Sequence, residues 1–273
     1  MKKILVILLI SAVAVFAFGC GGGEGTAEEE TVKLVVGATP VPHAKILEFI
    51  KPILEEQGIE LQIQEFTDYV QPNLALSDGQ LDANYFQHLP YLEQFNKDNN
   101  TDLTYTVSVH FEPLGLYSQT ISSLDEIEDG AKIGVPNDPT NEARALLLLQ
   151  DNGLLTLKEG VELKATKLDV VENPKNIEII EMEAAQLATS LSDMTAAVIN
   201  GNYALDAGLS ISEAIVSEGK ESIAAQTFGN ILAIRPGDEE RPEIQALSDV
   251  LNSDEVRNFI EEQYAESGFV PTF

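Results

Sequence analysis

Residues 132–150, KIGVPNDPTNEARALLLLQ, hold a strand, a turn and a helix in nineteen positions. The apolar run Lys132–Val135 predicts a buried strand. Pro136 to Asn141 supplies turn and cap residues, and the helix from Glu142 to Gln150 stops at Asn152-Gly153. The same alternation extends outward. Val32–Val36 is a strand ending at Gly37, and Pro40 and Pro42 force an irregular turn. Ile46, Phe49, Ile50, Ile53 and Leu54 have helical spacing with Gly58 as the stop. A strand over 61–66 follows, and Asp68 is suited to cap a helix that runs to Ser77. Leu103, Tyr105, Val107 and Val109 alternate as a strand. Further strands fall at 176–182, 196–199 and 231–234. Helices fall at 184–191 and around Ile244–Leu251 and Val256–Ile260. Strands alternating with helices predict an α/β class with mostly parallel sheets.

The chain has 273 residues, room for one large sheet or two lobes. Two non-helical stretches, Glu112–Ser118 and Thr227–Arg235, are suited to cross between lobes. They divide the globule into 32–112 plus 226–273 as one lobe and 113–225 as the other. Asp and Glu number 45 against 16 Lys and Arg, for a formal charge of −29. That balance excludes a nucleic-acid partner, which needs a basic face.

Residues 1–19 read as a signal peptide. Lys2 and Lys3 precede an apolar run from Ile4 to Phe18 that is short for a membrane span. Ala17-Phe18-Gly19-Cys20 then resembles a bacterial lipobox, with Cys20 as the acylated mature N-terminus. Cys20 is the single cysteine, so an internal disulfide is excluded. Residues 20–31 are rich in Gly and Glu and read as a flexible tether, placing the globule on the extracytoplasmic face of the cell membrane.

Three segments carry chemistry. Arg144 lies in the opening turns of its helix, where a cation opposes the helix dipole. A bound carboxylate, gripped in bidentate fashion, would reconcile the two; a solvated Arg paired with Glu142 would do so as well. Tyr85, Phe86 and His88 put three rings in four residues at the end of a strand. They suit either a pocket for an apolar or sulfur-bearing tail or ordinary core. Asn200 ends the strand Ala196–Ile199, the end of an α/β strand at which ligands sit, although Asn-Gly is also a plain turn. His43, His88 and His110 are scattered along the sequence, so no metal site and no cofactor are expected.

Taken in order, these segments resemble the methionine-binding lipoproteins of the NlpA type that serve ABC importers. They are Gly37 to Ala44, Asp68 to Asn73, Asp82 to His88, Pro113 to Ser118, Asn137 to Asn141, Glu183 to Leu187 and Ala197 to Tyr203. The resemblance covers residues 32–273. It implies a two-lobed periplasmic-binding-protein fold of type II-like form, each lobe a mixed, mostly parallel sheet flanked by helices, hinged to close on L-methionine. It places Tyr69, Phe86 and His88 in the side-chain pocket and Arg144 on the carboxylate. Asn200 and Asn230 then provide amide oxygens for the amine. It also implies an ABC importer permease with its ATPase as partner, and no enzymatic activity.

Other ligands fit the same fold: D-methionine, a methionine-containing dipeptide, or another small amino acid. Gly229, where the family has a larger residue, would open space near the cleft for them. An extracytoplasmic enzyme is a rival class. The chain has no Gly-x-Ser-x-Gly elbow, no Ser-x-x-Lys and no second cysteine, so only a carboxylate pair remains for catalysis.

Overall fold

The structure is a computed structural model and describes residues 31–219 and 227–273. The signal peptide, Cys20 and most of the tether lie outside the described residues.

The strands are β1 (Val32–Ala38), β2 (Ile59–Glu65), β3 (Ala83–His88), β4 (Thr104–Phe111), β5 (Gly115–Tyr117), β6 (Lys132–Pro136), β7 (Thr156–Leu157), β8 (Val170–Glu172), β9 (Glu178–Met182), β10 (Ala196–Ile199), β11 (Val216–Ser217), β12 (Gly229–Ile234) and β13 (Val270–Pro271). The helices are α1 (Lys45–Glu55), α2 (Gln71–Ser77), α3 (Leu89–Asn99), α4 (Pro139–Asp151), α5 (Ala184–Leu187), α6 (Gly201–Asp206), α7 (Pro242–Leu251) and α8 (Asp254–Gln263).

Two sheets form. The first has the order β13-β4-β12-β3-β1-β2, and the second β11-β5-β10-β6-β9. The first draws on the chain up to Phe111 and again from Gly229. The second uses Gly115 to Ser217. The expected α/β class is present, and the sheets are mixed. β1 pairs in parallel with β2 and β3, and β6 with β9 and β10, but β12 runs antiparallel to both β3 and β4. The antiparallel share exceeds what alternation predicts. β12 enters the first sheet between β3 and β4 and runs antiparallel to both.

Both sheets are covered on both faces, and the side-chain alternation makes this visible. Along β12, Leu232 and Ile234 join the core formed with α1, α7 and α8, while Ile231 and Ala233 join Leu76 and Leu92 of α2 and α3. Along β10, Ala196 and Val198 pack with α4, and Ala197 and Ile199 pack with α5 and α6. A strand with one side chain in each core reads as a continuous apolar run, so its period of two vanishes from the sequence. Such a strand is costly to truncate: Leu232→Ala would cost about 2–5 kcal/mol.

Helix starts follow the cap residues. Asp138 caps α4, accepting a hydrogen bond from Asn141 N–H at 2.9 Å; the residue before α2 is Val70 and not the expected Asp68, whose Oδ1 accepts from Val70 and Gln71 N–H at 2.7 and 2.8 Å in the turn that leads into it. The helix expected over 184–191 ends at Leu187 and is followed by a 3₁₀ turn at 191–193. The carboxyl ends of β3, β6 and β10 deliver His88, the turn before α4, and Asn200 to one cleft.

Candidate functional site

The cleft encloses about 330 Å³ of non-atom space, open solvent at its mouth included. Tyr69, Phe86, His88, Arg144, Asn200 and Asn230 all line it. The local folding explains each placement. All six residues of β3 are buried; Phe86 packs with Tyr91 and Phe95, and His88 ends the strand at the cleft. Asn200 is the residue before α6, and Asn230 pairs with His88 and His110 across β12.

One wall is aromatic. Tyr69 lies 5.6 Å from Phe86, 5.7 Å from Tyr91 and 4.9 Å from Tyr203, ring centre to ring centre. Burial raises the Tyr69 hydroxyl well above the usual phenol value, so it stays a neutral donor. It donates to Asn202 Oδ1 at 2.5 Å, joining the segment before α2 to the first turn of α6. Tyr203 OH donates to Thr67 O at 3.3 Å across the same divide. Asn202 and Tyr91 carry no isolated sequence signal; Asn202 is readable only through the Asn-Gly-Asn at the strand end.

The charges differ from the sequence expectation. Arg144 does not wait for a carboxylate in bidentate geometry, because Glu218 already holds it. Nε donates to Oε1 at 2.7 Å and Nη2 to Oε2 at 2.6 Å, with the two side chains 4% and 7% exposed. Nη2 also donates to Glu112 O at 2.6 Å. Nη1 has no hydrogen-bond partner among the described residues and is the guanidinium nitrogen left for a ligand. A protein carboxylate thus balances the cation in the opening turns of α4. The pairing spans 74 positions of sequence, beyond any local pattern.

Glu112, which the sequence offers only as a crossing point, is a second buried carboxylate in the cleft wall. His110 donates through Nε2 to its Oε1 at 2.8 Å, His43 Nε2 lies 3.2 Å from the same oxygen, and Asn202 N–H donates to Oε2 at 2.9 Å. Burial raises its pKa above the usual carboxylate value, while His43, the Asn202 N–H and Arg144 pull it back. Burial lowers His43 to about 4 and His110 to about 3. Both rings are therefore neutral and carry the proton on Nε2, with hydroxyls of Thr39 and Tyr85 at their Nδ1 atoms. The two rings lie 5.1 Å apart, so the scatter of histidines along the sequence hides a close pair. His43, His110 and Glu112 bring three metal-ligand atoms within 4.8 Å of one another. Each of these atoms is already engaged in a hydrogen bond.

The amides divide their labour, against the expectation that both turn oxygens to the ligand. Asn230 Oδ1 accepts from His43 Nε2 at 3.3 Å, which leaves its Nδ2 donor for the cleft. Asn200 Nδ2 donates to Asn141 Oδ1 at 3.0 Å, and Asn200 Oδ1 is buried without a partner among the described residues. An unmet buried acceptor is costly, and a ligand N–H would satisfy it. Gly229 does not open the cleft. A Cβ there would collide with Ser108 Oγ of β4, so the glycine serves strand packing.

The NlpA lipoprotein family model matches residues 34–273. The methionine-binding lipoprotein MetQ of Bacillus subtilis is 39% identical over 269 residues, 97% of each chain. A nutrient-binding protein from Burkholderia cenocepacia, solved bound to methionine, is 41% identical with a TM-score of 0.83 and covers 88% of this chain and 100% of its own. An ABC transporter periplasmic substrate-binding protein from Coxiella burnetii is 39% identical with a TM-score of 0.81, again over 88% and 100%. A family match over nearly the whole described chain, on a fold and cleft of this kind, leaves one conclusion: the chain belongs to the NlpA lipoprotein family.

Proposed function

We propose that this chain is a lipid-anchored binding protein that takes methionine in the cleft and passes it to an ABC importer. The observation that carries the reading is the polar complement of the cleft. Arg144 Nη1 and Asn230 Nδ2 are donors set for a carboxylate, and the unmet Asn200 Oδ1 is an acceptor set for an amine. A zwitterionic amino acid has both ends. The tail meets Tyr69, Phe86 and Tyr91, rings against which a thioether packs well. Methionine in the names of the relatives and in one solved neighbour supports the same ligand.

Residues 32–112 with 226–273 form one lobe in this reading, and 113–225 the other, each around its own sheet. Closure of the lobes buries the ligand, and the Tyr69–Asn202 bond belongs to the closed state. No turnover is involved, and the ligand leaves as it came. Cys20 carries the anchor on the extracytoplasmic face, so Cys20→Ala should move the protein from the membrane fraction to the soluble one; a variant that stays with membranes would refute the anchor.

Blocked ligands test the binding reading. Methionine methyl ester and N-acetylmethionine should each bind at least tenfold more weakly than L-methionine, because each removes one charged end. Equal affinity for all three would sink the zwitterion account.

A further inference from the structure

Asp138 is not among the residues that line the cleft, yet its carboxylate sets the direction of two amides inside it, Asn141 and Asn200. As the residue before α4, it accepts Asn141 N–H through Oδ1 at 2.9 Å, an ordinary helix cap. It does more. Asn141 Nδ2 lies 3.0 Å from both Oδ1 and Oδ2. A carboxylate only accepts, so the Asn141 amide must turn its nitrogen to Asp138 and its oxygen away. That oxygen faces two groups at once, His88 Nε2 at 3.2 Å and Asn200 Nδ2 at 3.0 Å.

Each of those groups is set in turn. His88 Nδ1 accepts Tyr91 N–H at 3.2 Å, so the ring carries its single proton on Nε2 and donates to Asn141. Asn200 gives its nitrogen to Asn141 and presents Oδ1 to the cleft without a partner. We infer that Asp138 is a positioning residue that sets the polarity of the cleft through Asn141, making Asn200 an acceptor for a ligand ammonium and not a donor for a carboxylate. Reversing the Asn141 amide would reverse Asn200, and the end of the zwitterion it selects. The ligand consequence rests on the methionine reading above; the proton positions do not.

Asp138→Asn tests this with little change of shape. It keeps an oxygen for the helix cap. Its new amide nitrogen would stand opposite Asn141 Nδ2, donor against donor, and drive the Asn141 amide to turn over. Asp138→Ser is the second variant, since serine caps the helix and cannot hold the Asn141 amide. Calorimetric titration compares L-methionine with 4-(methylthio)butanoate, which lacks only the amine. Wild type should prefer L-methionine by tenfold or more. In both variants L-methionine should weaken at least tenfold while the deaminated compound stays within threefold. Equal losses for the two compounds would mean a merely structural role and overturn the inference, as would unchanged selectivity. Nitrogen-15 spectra of the unliganded full chain give a second readout. Wild-type His88 should be the Nε2–H tautomer, and its signal should change in Asp138→Asn. A proton on Nδ1 in the wild type, or no change in the variant, would overturn the relay. Wild type that showed the tautomer but bound no methionine would overturn the methionine reading and leave the relay standing.

Discussion

Glu218→Gln separates the charge that belongs to the fold from the charge offered to a ligand. In the wild type the guanidinium of Arg144 makes two bonds to Glu218 and one to a backbone carbonyl, all of them in a nearly dry site. Removing one member of a buried ion pair typically costs about 3–5 kcal/mol, because the other is left charged and desolvated. Glutamine keeps one oxygen for one of the two N–H groups, which should hold the loss to about 2–3 kcal/mol. For a chain of this size that is a fall in Tm of roughly 5–10 °C. A ligand carboxylate at Nη1 would restore part of the lost charge balance. The rise in Tm on adding L-methionine at a fixed multiple of its Kd should therefore be larger in Glu218→Gln than in wild type, by about 3 °C or more. Differential scanning calorimetry with and without ligand reads both numbers. Removing both partners with Arg144→Met in the Glu218→Gln background should recover much of the unliganded stability, since no buried charge is then left alone. A Glu218→Gln protein as stable as wild type would refute the buried-pair reasoning. A smaller ligand shift than in wild type would refute the placement of a ligand carboxylate beside Arg144.

Phe86→Ala should weaken methionine by about 2–3 kcal/mol while weakening alanine much less, since only methionine loses tail contacts; equal losses in parallel titrations would remove the aromatic wall from recognition. Acid should destabilise the fold through His43, His88 and His110, which burial holds at about 4, 3 and 3, joined for His88 by the charge of Arg144. These rings stay neutral in the fold and take up protons when unfolded, so their stabilisation is complete above about pH 6.5 and falls as pH drops, by about 1.4 kcal/mol per pH unit for each ring. Glu142, raised to about 7 by burial and by Glu181, acts in the opposite sense, as does Glu112, raised by burial, so the net slope is smaller than three rings alone give. Tm measured at pH 7, 6 and 5 should decline, and a rise toward pH 5 would contradict the buried neutral histidines.

The parts of the fold that sequence foretells are those with local causes. β6 and α4 follow from an apolar run, a proline-bounded turn and the Asp138 cap. β3 is signalled by its rings, Tyr85, Phe86 and His88, rather than by an apolar run, since Asn84 and Gln87 interrupt it. The short strands β5, β11 and β13 leave no such trace, because two or three residues carry no period. The antiparallel return of β12 depends on where the chain re-enters the first sheet, which is set by the whole topology. The site divides in the same way. Phe86, His88, Arg144 and Asn200 sit at the ends of readable elements, and Arg144 is conspicuous because its charge opposes its helix. Glu218 meets Arg144 from 74 positions away and Glu112 meets Asn202 from 90, so neither Arg144's pairing nor the two-carboxylate balance is visible locally. The direction in which an amide points is set by its neighbours' neighbours. Asn230 turns its oxygen to His43 and Asn200 turns its nitrogen to Asn141, and neither follows from the residue itself.

The central claim is that the cleft takes the free zwitterion of methionine. The most direct measurement is a calorimetric titration of L-methionine into protein unfolded and refolded to strip any carried ligand. Binding at one site per chain, with glutamine silent and the glycyl-methionine dipeptide and D-methionine weaker, is the result expected. Folded protein that gave no heat with L-methionine, or that bound glycyl-methionine more tightly, would contradict it.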